Sequence, residues 1–341
     1  MSNEYLTIPL FLLNLRHLIL NIMNAIKEFF YSARRHQLII WLGVLLITIF
    51  VIYTPEFLFF KKLSSRGIQV MFGLLVLAIS FAFLNDSRTM WVSLACSGVL
   101  CFHLRTREPF YPNRSGVSFK VAHIDIENST DYEKTIDAIL ENDPDVISFQ
   151  NLNPDWDFAL KEFLGQNYPY ERTFISLDVY NPAVYSKYPF SKIDTFNYKD
   201  APNIYGSFQI EEREISFFSS ITVPPVDIKA YNDINKHLQI LADSVKKTSN
   251  PVVAIGDYSV VTHSRELSTL REEAGLKDSR TSHTFMGESP LEHILYSKQI
   301  ECTSFVSISE SGQRQIGIMG TYQFKNNGLP ENKTARSKTK K

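Results

Sequence analysis

Acidic, amide and histidine side chains end or begin short apolar runs beyond the first third of the sequence. Asp125 ends the run FKVAHID, Asn151 follows DVISFQ, and Asp257 follows PVVAIG. Glu292 and His293 open the run EHILYS. Carboxylate oxygens bind hard divalent cations, and histidine carries protons at physiological pH. These residues are therefore candidates for metal-assisted acid–base chemistry.

The sequence lacks the motifs that would indicate nucleotide binding or a zinc site. No Walker-type or dinucleotide-type glycine loop is present, and no cysteine and histidine residues have zinc spacing. With 35 basic and 36 acidic residues the formal net charge is -1, so no excess positive charge is available to hold nucleic acid, and no nucleic-acid partner is expected. Cys302 is the one cysteine outside the apolar first third, which excludes a disulfide within the rest of the chain.

The elements that would position the candidate residues alternate between strands and helices. After a polar, proline-containing linker at 105–116, about a dozen short β-rich runs with few helices predict an α/β (α+β) domain over 117–325. Two sheets packed face to face, with helices on the outside, suit this pattern. The strands are predicted at 119–126, 145–149, 173–177, 183–186, 205–210, 214–223, 251–255, 292–297, 300–307 and 316–324. The helices are predicted at 132–142, 157–165, 232–248 and 264–274.

The first third of the chain carries three long apolar runs. They cover residues 37–55, 67–84 and 89–104, and the first contains no charged side chain. About 20 apolar residues cross a bilayer. The runs therefore predict three transmembrane helices within 37–104, with buried helices of a soluble core as the alternative.

The two ends of the chain have different compositions. Residues 6–32 carry apolar side chains at helical spacing, interrupted by Arg16, which predicts an amphipathic helix in the membrane interface within 1–36. A fourth, poorer span is the alternative. Residues 326–341 are rich in lysine and lack an apolar face, which predicts a disordered basic tail. The lipid bilayer is thus an expected partner.

Four segments occur in one order that resembles the endonuclease/exonuclease/phosphatase family. They are DPDVISFQN (143–151), NPVVAIGDYS (250–259), LEHILYS (291–297) and the closing strand after Gly312. The resemblance implies a two-sheet, four-layer sandwich that hydrolyses phosphate esters with a divalent metal. It is closest to the bacterial branch with several membrane spans ahead of the domain. That likeness implies a multi-pass inner (cytoplasmic) membrane protein with an extracytoplasmic domain, although Arg34 and Lys61 give opposite indications of orientation.

Several positions depart from the pattern of that family. Asn151 stands where a glutamate holds the metal, and an amide offers a divalent cation only a dipole. Asp125 stands where the first strand has an asparagine. In the GDxN motif Asp257 is retained, whereas Ser259 replaces the asparagine that orients the phosphate.

The closing motifs depart as well. Glu292 and His293 stand for an Asp-His pair, and Gln313 and Arg314 replace the aspartate and histidine of the last motif. Arginine stays protonated at physiological pH, so Arg314 cannot take a proton from water. His123, His263 and His283 are the histidines that could replace the lost group.

The sequence is compatible with two functions. The first is a non-catalytic family member at the membrane, with no metal, that binds a membrane or extracytoplasmic protein partner, and whose Asp257 and His293 serve packing. Its surface would include the tyrosines Tyr170, Tyr180, Tyr185, Tyr188, Tyr198 and Tyr205. The alternative is a divergent phosphodiesterase, phosphatase or nuclease that binds Mg or Mn through Asp125, Asp257 and Glu292, beside His293.

Overall fold

The computed structural model describes residues 36–55, 57–104, 111, 116–129, 131–175, 180–199, 201–280, 290–310 and 314–325. The chain folds into two compact units, Met1–Arg105 and Thr106–Lys341. The amphipathic helix predicted over 6–32 and the basic tail predicted over 326–341 lie outside the described residues.

The described part of the first unit is helical. It contains α1 (Gln37–Tyr53), α2 (Leu58–Ser65), α3 (Gly67–Phe83) and α4 (Ser87–Leu104). Three of these lie on the predicted apolar runs, and α2 was not predicted. None of them is alone both long and apolar enough to cross a membrane; α1 and α2 meet that criterion only as a pair bent by 89°. The prediction of three spanning helices is therefore not supported by the helices themselves.

The helices α1 and α4 are joined by polar side chains near their first turns. Asp86 accepts hydrogen bonds from Gln37 Nε2 (2.7 Å) and from Thr89 Oγ1 (2.9 Å). Thr89 Oγ1 in turn accepts one from Trp41 Nε1 at 3.1 Å. Elsewhere an apolar cluster that includes Val51, Leu74 and Leu100 packs the helices together. Large apolar side chains nevertheless stay on the surface, among them Leu38, Phe83 and Phe102.

The second unit contains two six-stranded sheets. The strands are β1 (Ser118–Asp125), β2 (Val146–Gln150), β3 (Tyr170–Thr173), β4 (Ala183–Ser186), β5 (Phe190–Tyr198), β6 (Ala201–Ile210), β7 (Arg213–Ser219), β8 (Val252–Asp257), β9 (Leu276–Asp278), β10 (Glu292–Ser297), β11 (Ile300–Glu310) and β12 (Arg314–Phe324). Sheet A has the order β11-β12-β1-β2-β4-β3, and sheet B has the order β5-β6-β7-β8-β10-β9. The helices are α5 (Tyr132–Asn142), α6 (Pro154–Leu164), α7 (Ile228–Lys246) and α8 (Arg265–Ala274).

Most predicted elements of this unit are confirmed, and two strands were missed. The strand predicted at 173–177 is wrong, because β3 ends at Thr173. The missed strands are β5 and β9. The side chains of β5 are all exposed or half-buried, since it is an edge strand, so they lack the apolar pattern by which a buried strand is recognised.

Side chains alternate between the two faces of each strand and so form separate cores. Ile147 and Phe149 pack beneath α5 and α6 on the outer face of sheet A. Phe119 of sheet A and Ile255 of sheet B meet in the space between the sheets. Leu241 of α7 belongs to the core on the outer face of sheet B. The predicted arrangement of two sheets with helices outside is therefore confirmed.

Gly256 allows β8 to pass close to the end of β7. Its φ of 148° lies in a region that side-chain-bearing residues rarely adopt. A Cβ at this position would stand 1.7 Å from the carbonyl oxygen of Ser220. The next residue is Asp257, so this backbone contact also fixes the end of β8, where a candidate site residue lies.

We expect the substitution Gly256→Ala to destabilise the protein by about 3 kcal/mol or more, because the added methyl group meets backbone that cannot rotate away. Gly275→Ala is the matched control: its φ is 65°, but nothing lies within 4 Å of the added Cβ. That change should cost only about 1–2 kcal/mol. Urea denaturation of both variants measures the difference, and equal losses would contradict the steric argument.

Candidate functional site

The space between the sheets changes from apolar to polar along β1 and β2. Val121, His123 and Asp125 alternate along β1 and therefore share one face. On β2, Ser148 reaches across to sheet B, where its Oγ lies 2.8 Å from Ser219 Oγ. Asp125 and Gln150 are paired at the carboxyl ends of these parallel strands. The polar end of the inter-sheet space is thus built by strand alternation.

Three carboxyl groups lie at this polar end. Asp125 ends β1, Asp257 ends β8, and Glu292 begins β10 directly opposite Asp257. Burial, followed by the negative charges of Asp125 and Asp257, raises the pKa of Glu292 to about 8. The negative charge of Asp125 also contributes to a raised pKa of Asp257. We call Asp125, Asp257 and Glu292 the acidic cluster.

Asp125 is surrounded by hydrogen-bond donors. Its Oδ1 accepts from Asn151 Nδ2 at 2.8 Å and from the backbone N–H of Glu127 at 3.0 Å. Its Oδ2 accepts from Asn128 Nδ2 at 3.2 Å. Burial raises the pKa of Asp125, and the bonds from Asn151 and Glu127 oppose that rise. Asn151 has a φ of 59°, a left-handed conformation that asparagine tolerates better than most residues.

Asp257 is held by backbone and by sheet A. Its Oδ1 accepts from the N–H of Ser259 at 2.5 Å, and its own N–H donates to Gln150 Oε1 at 3.4 Å. Burial raises the pKa of Asp257 to about 6, and the bond from Ser259 opposes the rise. The hydroxyl of Ser259 donates to the carbonyl of Thr222 at 3.1 Å. Asp257 therefore caps the turn that follows β8.

His293 lies on the other face of β10 in a fully buried position. Its Nδ1 is 3.2 Å from Asp278 Oδ2, its Nε2 is 2.8 Å from the carbonyl oxygen of Val260, and its ring stacks on Tyr258. Arg280 is buried nearby, and its Nη2 donates to the carbonyl of Glu292 at 3.4 Å. Asp278 and Arg280 were missed from the sequence, because they stand outside every recognised segment.

The structure brings some predicted residues together and separates others. Asp125, Asn151, Asp257 and Glu292 meet, whereas the exposed Arg314 has no ion pair with any described carboxylate. Gln313 and His283 lie outside the described residues.

The remaining predicted residues are scattered. His263 is half-buried in the turn before α8. Burial lowers the pKa of His123 to about 4, and its Nδ1 lies 3.2 Å from Ser148 Oγ. Tyr185 is fully buried, so its expected exposure is wrong; Phe149 and the strand pairing enclose it. Tyr170 is exposed, and the other four tyrosines are half-buried.

Comparison with known proteins identifies the family. The Endonuclease/Exonuclease/phosphatase family matches residues 121–321, more than half of the chain, and the chain belongs to this family. No curated protein sequence matches it.

Solved structures share the fold. The endonuclease/exonuclease/phosphatase from Bacteroides vulgatus is 13% identical with a TM-score of 0.51, over 61% of this chain and 100% of that one. Humanized D. rerio TDP2 is 13% identical with a TM-score of 0.50, over 60% and 99%. The human Nocturnin catalytic domain with bound sulfate is 12% identical with a TM-score of 0.50, over 61% and 95%.

The family resemblance implies a divalent cation, and the acidic cluster does not fit one. The described residues contain no group of three or more His, Cys, Asp or Glu side chains placed to hold a metal ion. Asn151 presents its N–H to Asp125 where a metal ligand would present an oxygen. Both oxygens of Asp125 already accept N–H groups. The donor set of the described residues is thus that of a hydrogen-bonded carboxylate.

We expect Glu292→Gln to gain stability relative to the wild type as pH rises. Between pH 4.5, the ordinary pKa, and about 8 the unfolded chain loses the Glu292 proton while the folded protein keeps it, so wild-type stability falls across that window. Glutamine has no such charge to bury. The difference should grow by roughly 2–4 kcal/mol across the window.

Urea titrations at either end of that window measure the change. Glu162→Gln, at an exposed position on α6, is the control for the removal of a carboxyl group from the protein surface. A constant difference for Glu292→Gln would show that the carboxyl group is not destabilised by its surroundings.

Proposed function

We propose that this chain is a non-catalytic member of the endonuclease/exonuclease/phosphatase family, held at a membrane, that serves there as a binding or assembly component. The hydrogen bond from Asn151 Nδ2 to Asp125 Oδ1 carries the proposal. A hydrolase of this family needs a second carboxylate at position 151 to hold its cation. In this chain the residue at that position instead donates a hydrogen bond to the carboxylate of Asp125. No metal cofactor is required by this function.

Proton transfer is the second requirement that the described residues do not meet. Both ring nitrogens of His293 are engaged by Asp278 and Val260, and His123 is fully buried between the sheets. Arg314 cannot act as a base, because its guanidinium keeps its proton at physiological pH. Neither His293 nor His123 is therefore available to activate a water molecule beside the acidic cluster.

Attachment to a membrane is supported by the surface of the first unit. Leu38, Phe83 and Phe102 are 76%, 85% and 78% exposed on α1, α3 and α4. Exposed apolar side chains at this density suit lipid rather than water.

We place residues 37–104 in the inner membrane as three spans, with the second unit on the extracytoplasmic side and a membrane or extracytoplasmic protein as its partner. The nearly neutral net charge argues against nucleic acid.

A divergent hydrolase is the second candidate, and the mutual influence of Asp125, Asp257 and Glu292 favours it. In that case Mg or Mn would bind where the three carboxyl groups meet, after displacement of the donors from Asn151 and Ser259. A phosphodiester or phosphomonoester would be the substrate class of such a site.

We expect no metal-dependent hydrolysis by the full chain. A generic phosphodiester with Mg or Mn should be cleaved by the wild type no faster than by Asp257→Ala, because neither protein has the ligands or the base. Glu162→Ala is the control for loss of an exposed acid. A wild-type rate at least about tenfold above that of Asp257→Ala would overturn the non-catalytic proposal in favour of the hydrolase.

We expect the second unit to be reached from outside the cell. Cys302 is a poor reporter, because it is buried and burial raises the pKa of its thiol to about 12. An exposed cysteine, Glu212→Cys in the turn after β6, placed in a Cys101→Ser background, serves instead. An impermeant thiol reagent should label it in intact cells; labelling only after lysis would place the unit in the cytoplasm.

A further inference from the structure

The short helix α2 leaves α1 at a bend of 89°. Thr54 ends α1 in a left-handed conformation with a φ of 41°, and Pro55 follows it. The hydroxyl of Ser64 in α2 donates to the carbonyl oxygen of Val51 in the last turn of α1 at 3.1 Å, and it lies 3.0 Å from the hydroxyl of Thr54. Carbonyl groups in the last turn of a helix need partners from outside that helix. Hydrogen bonds between the two helices therefore hold the bend.

Under the membrane attachment proposed above, α1 crosses the bilayer. Its 17 residues extend about 25 Å, against about 30 Å for a hydrocarbon core. A bend of 89° at the end of such a span turns α2 into the plane of the membrane. Gly67, where α3 begins, lies beside Leu104 at the end of α4, since a Cβ on Gly67 would stand 3.2 Å from the Leu104 side chain. The helix α2 therefore lies at the end of the helical unit from which the chain continues into the linker.

Phenylalanine rings gather at the start of α2. Phe57 and Phe59 are 68% and 69% exposed, although both rings contact Phe60. Phe60 in turn packs on Phe50 of α1, with 4.3 Å between the ring centroids. The packed ring thus fixes α2 against α1, while the two exposed rings are directed away from the protein. Exposed phenylalanine at the edge of a bilayer is stabilised when the ring enters the acyl chains.

Basic side chains follow the aromatic ones. Residues 56–66 contain Lys61, Lys62 and Arg66 against the single acid Glu56. Lys62 and Arg66 are exposed and four residues apart, so they lie on one side of α2. The long stems of lysine and arginine can lie along apolar surface while their charged groups reach the lipid headgroups. An aromatic end and a basic end on one short helix are typical of helices that lie in the membrane interface.

We propose that α2 lies in the interfacial layer of the bilayer, with Phe57 and Phe59 among the acyl chains and with Lys62 and Arg66 against anionic lipid headgroups. The partner of this surface is a negatively charged lipid surface, which continues the apolar, lipid-facing surface of α1, α3 and α4. This placement depends on the proposed membrane attachment and is independent of whether the protein is an enzyme. It holds for either orientation in the membrane, because α2 and the end of α4 share one end of the helical unit.

Spin labels measure the depth of α2. The full chain with Cys101→Ser carries one label, at Phe59→Cys or at Ile47→Cys on the exposed side of α1, while Cys96 and Cys302 are buried. In bilayers of phosphatidylcholine and phosphatidylglycerol, collisions with oxygen and with a water-soluble nickel chelate should place the label at 59 near the headgroups and the label at 47 in the hydrocarbon core.

The two labels separate failure of this placement from failure of the membrane attachment. A label at 59 as deep as the one at 47 would make α2 part of a broken span, and a label at 59 in bulk water would leave it off the membrane. Either result overturns the proposal for α2 and leaves the attachment intact. A label at 47 in water would contradict the attachment itself, and the placement of α2 with it.

Spin-labelled lipids test the role of the basic side chains. The reconstituted wild type should prefer phosphatidylglycerol to phosphatidylcholine by about twofold or more, and the double variant Lys62→Gln, Arg66→Gln should lose most of that preference. The matched control carries Lys229→Gln and Lys236→Gln, which remove two exposed cations from α7, and should keep the preference. No preference in the wild type, an undiminished one in the α2 variant or an equal loss in the control would overturn the assignment of anionic lipid to α2.

Discussion

Carboxyl groups buried against one another must be neutralised or hydrogen-bonded, and one end of the inter-sheet space is organised around that requirement. Removing a charged group from water costs several kcal/mol unless partners replace the water. Asp125 is satisfied by N–H groups, Asp257 by the backbone of a turn, and Glu292 by a retained proton and a nearby guanidinium. Three acids in one place are thus accommodated in three different ways.

Strand pairing and two sharp turns position the groups that hydrogen-bond to the acidic cluster. Parallel pairing places the ends of β1 and β2 side by side, and antiparallel pairing places Glu292 against the end of β8. The chain then turns sharply in left-handed conformations at Asn151 and at Ser259. These turns direct the donors of residues 151 and 259 back onto Asp125 and Asp257. Local backbone geometry therefore decides what the carboxylates can bind.

Helices and strands were predicted correctly from the sequence where the apolar pattern that identifies them lies within one continuous segment. The helix at Tyr132–Asn142 and the strand at Glu292–Ser297 were predicted to the residue, because amphipathic period and a compact apolar run identify them. The edge strand β5 was missed because its neighbours in space, rather than its own residues, determine its pairing.

Asp278 and Arg280 were missed for a related reason, since their importance arises only when β9 pairs with β10. That pairing sets Leu295 against Asp278 and leaves Arg280 beside Glu292. The spacing of residues along the chain cannot predict this contact, because β9 and β10 are separated by a segment without a regular apolar pattern. The two apolar runs at 37–55 and 67–84 extend slightly beyond the helices they form, because α1 and α3 each contain 17 residues.

The residue at position 151 and the guanidinium of Arg280 both act on the charge of the acidic cluster. A glutamate at position 151 would add a fourth carboxylate to the cluster and would remove the donor that now satisfies Asp125. Each further buried carboxylate costs free energy unless hydrogen-bond donors or positive charges replace the lost water. With asparagine at 151, Asp125 keeps its N–H donors, and the positive charge of Arg280 opposes the rise in the pKa of Glu292. The amide at 151 therefore removes one negative charge that this end of the fold would otherwise have to bury.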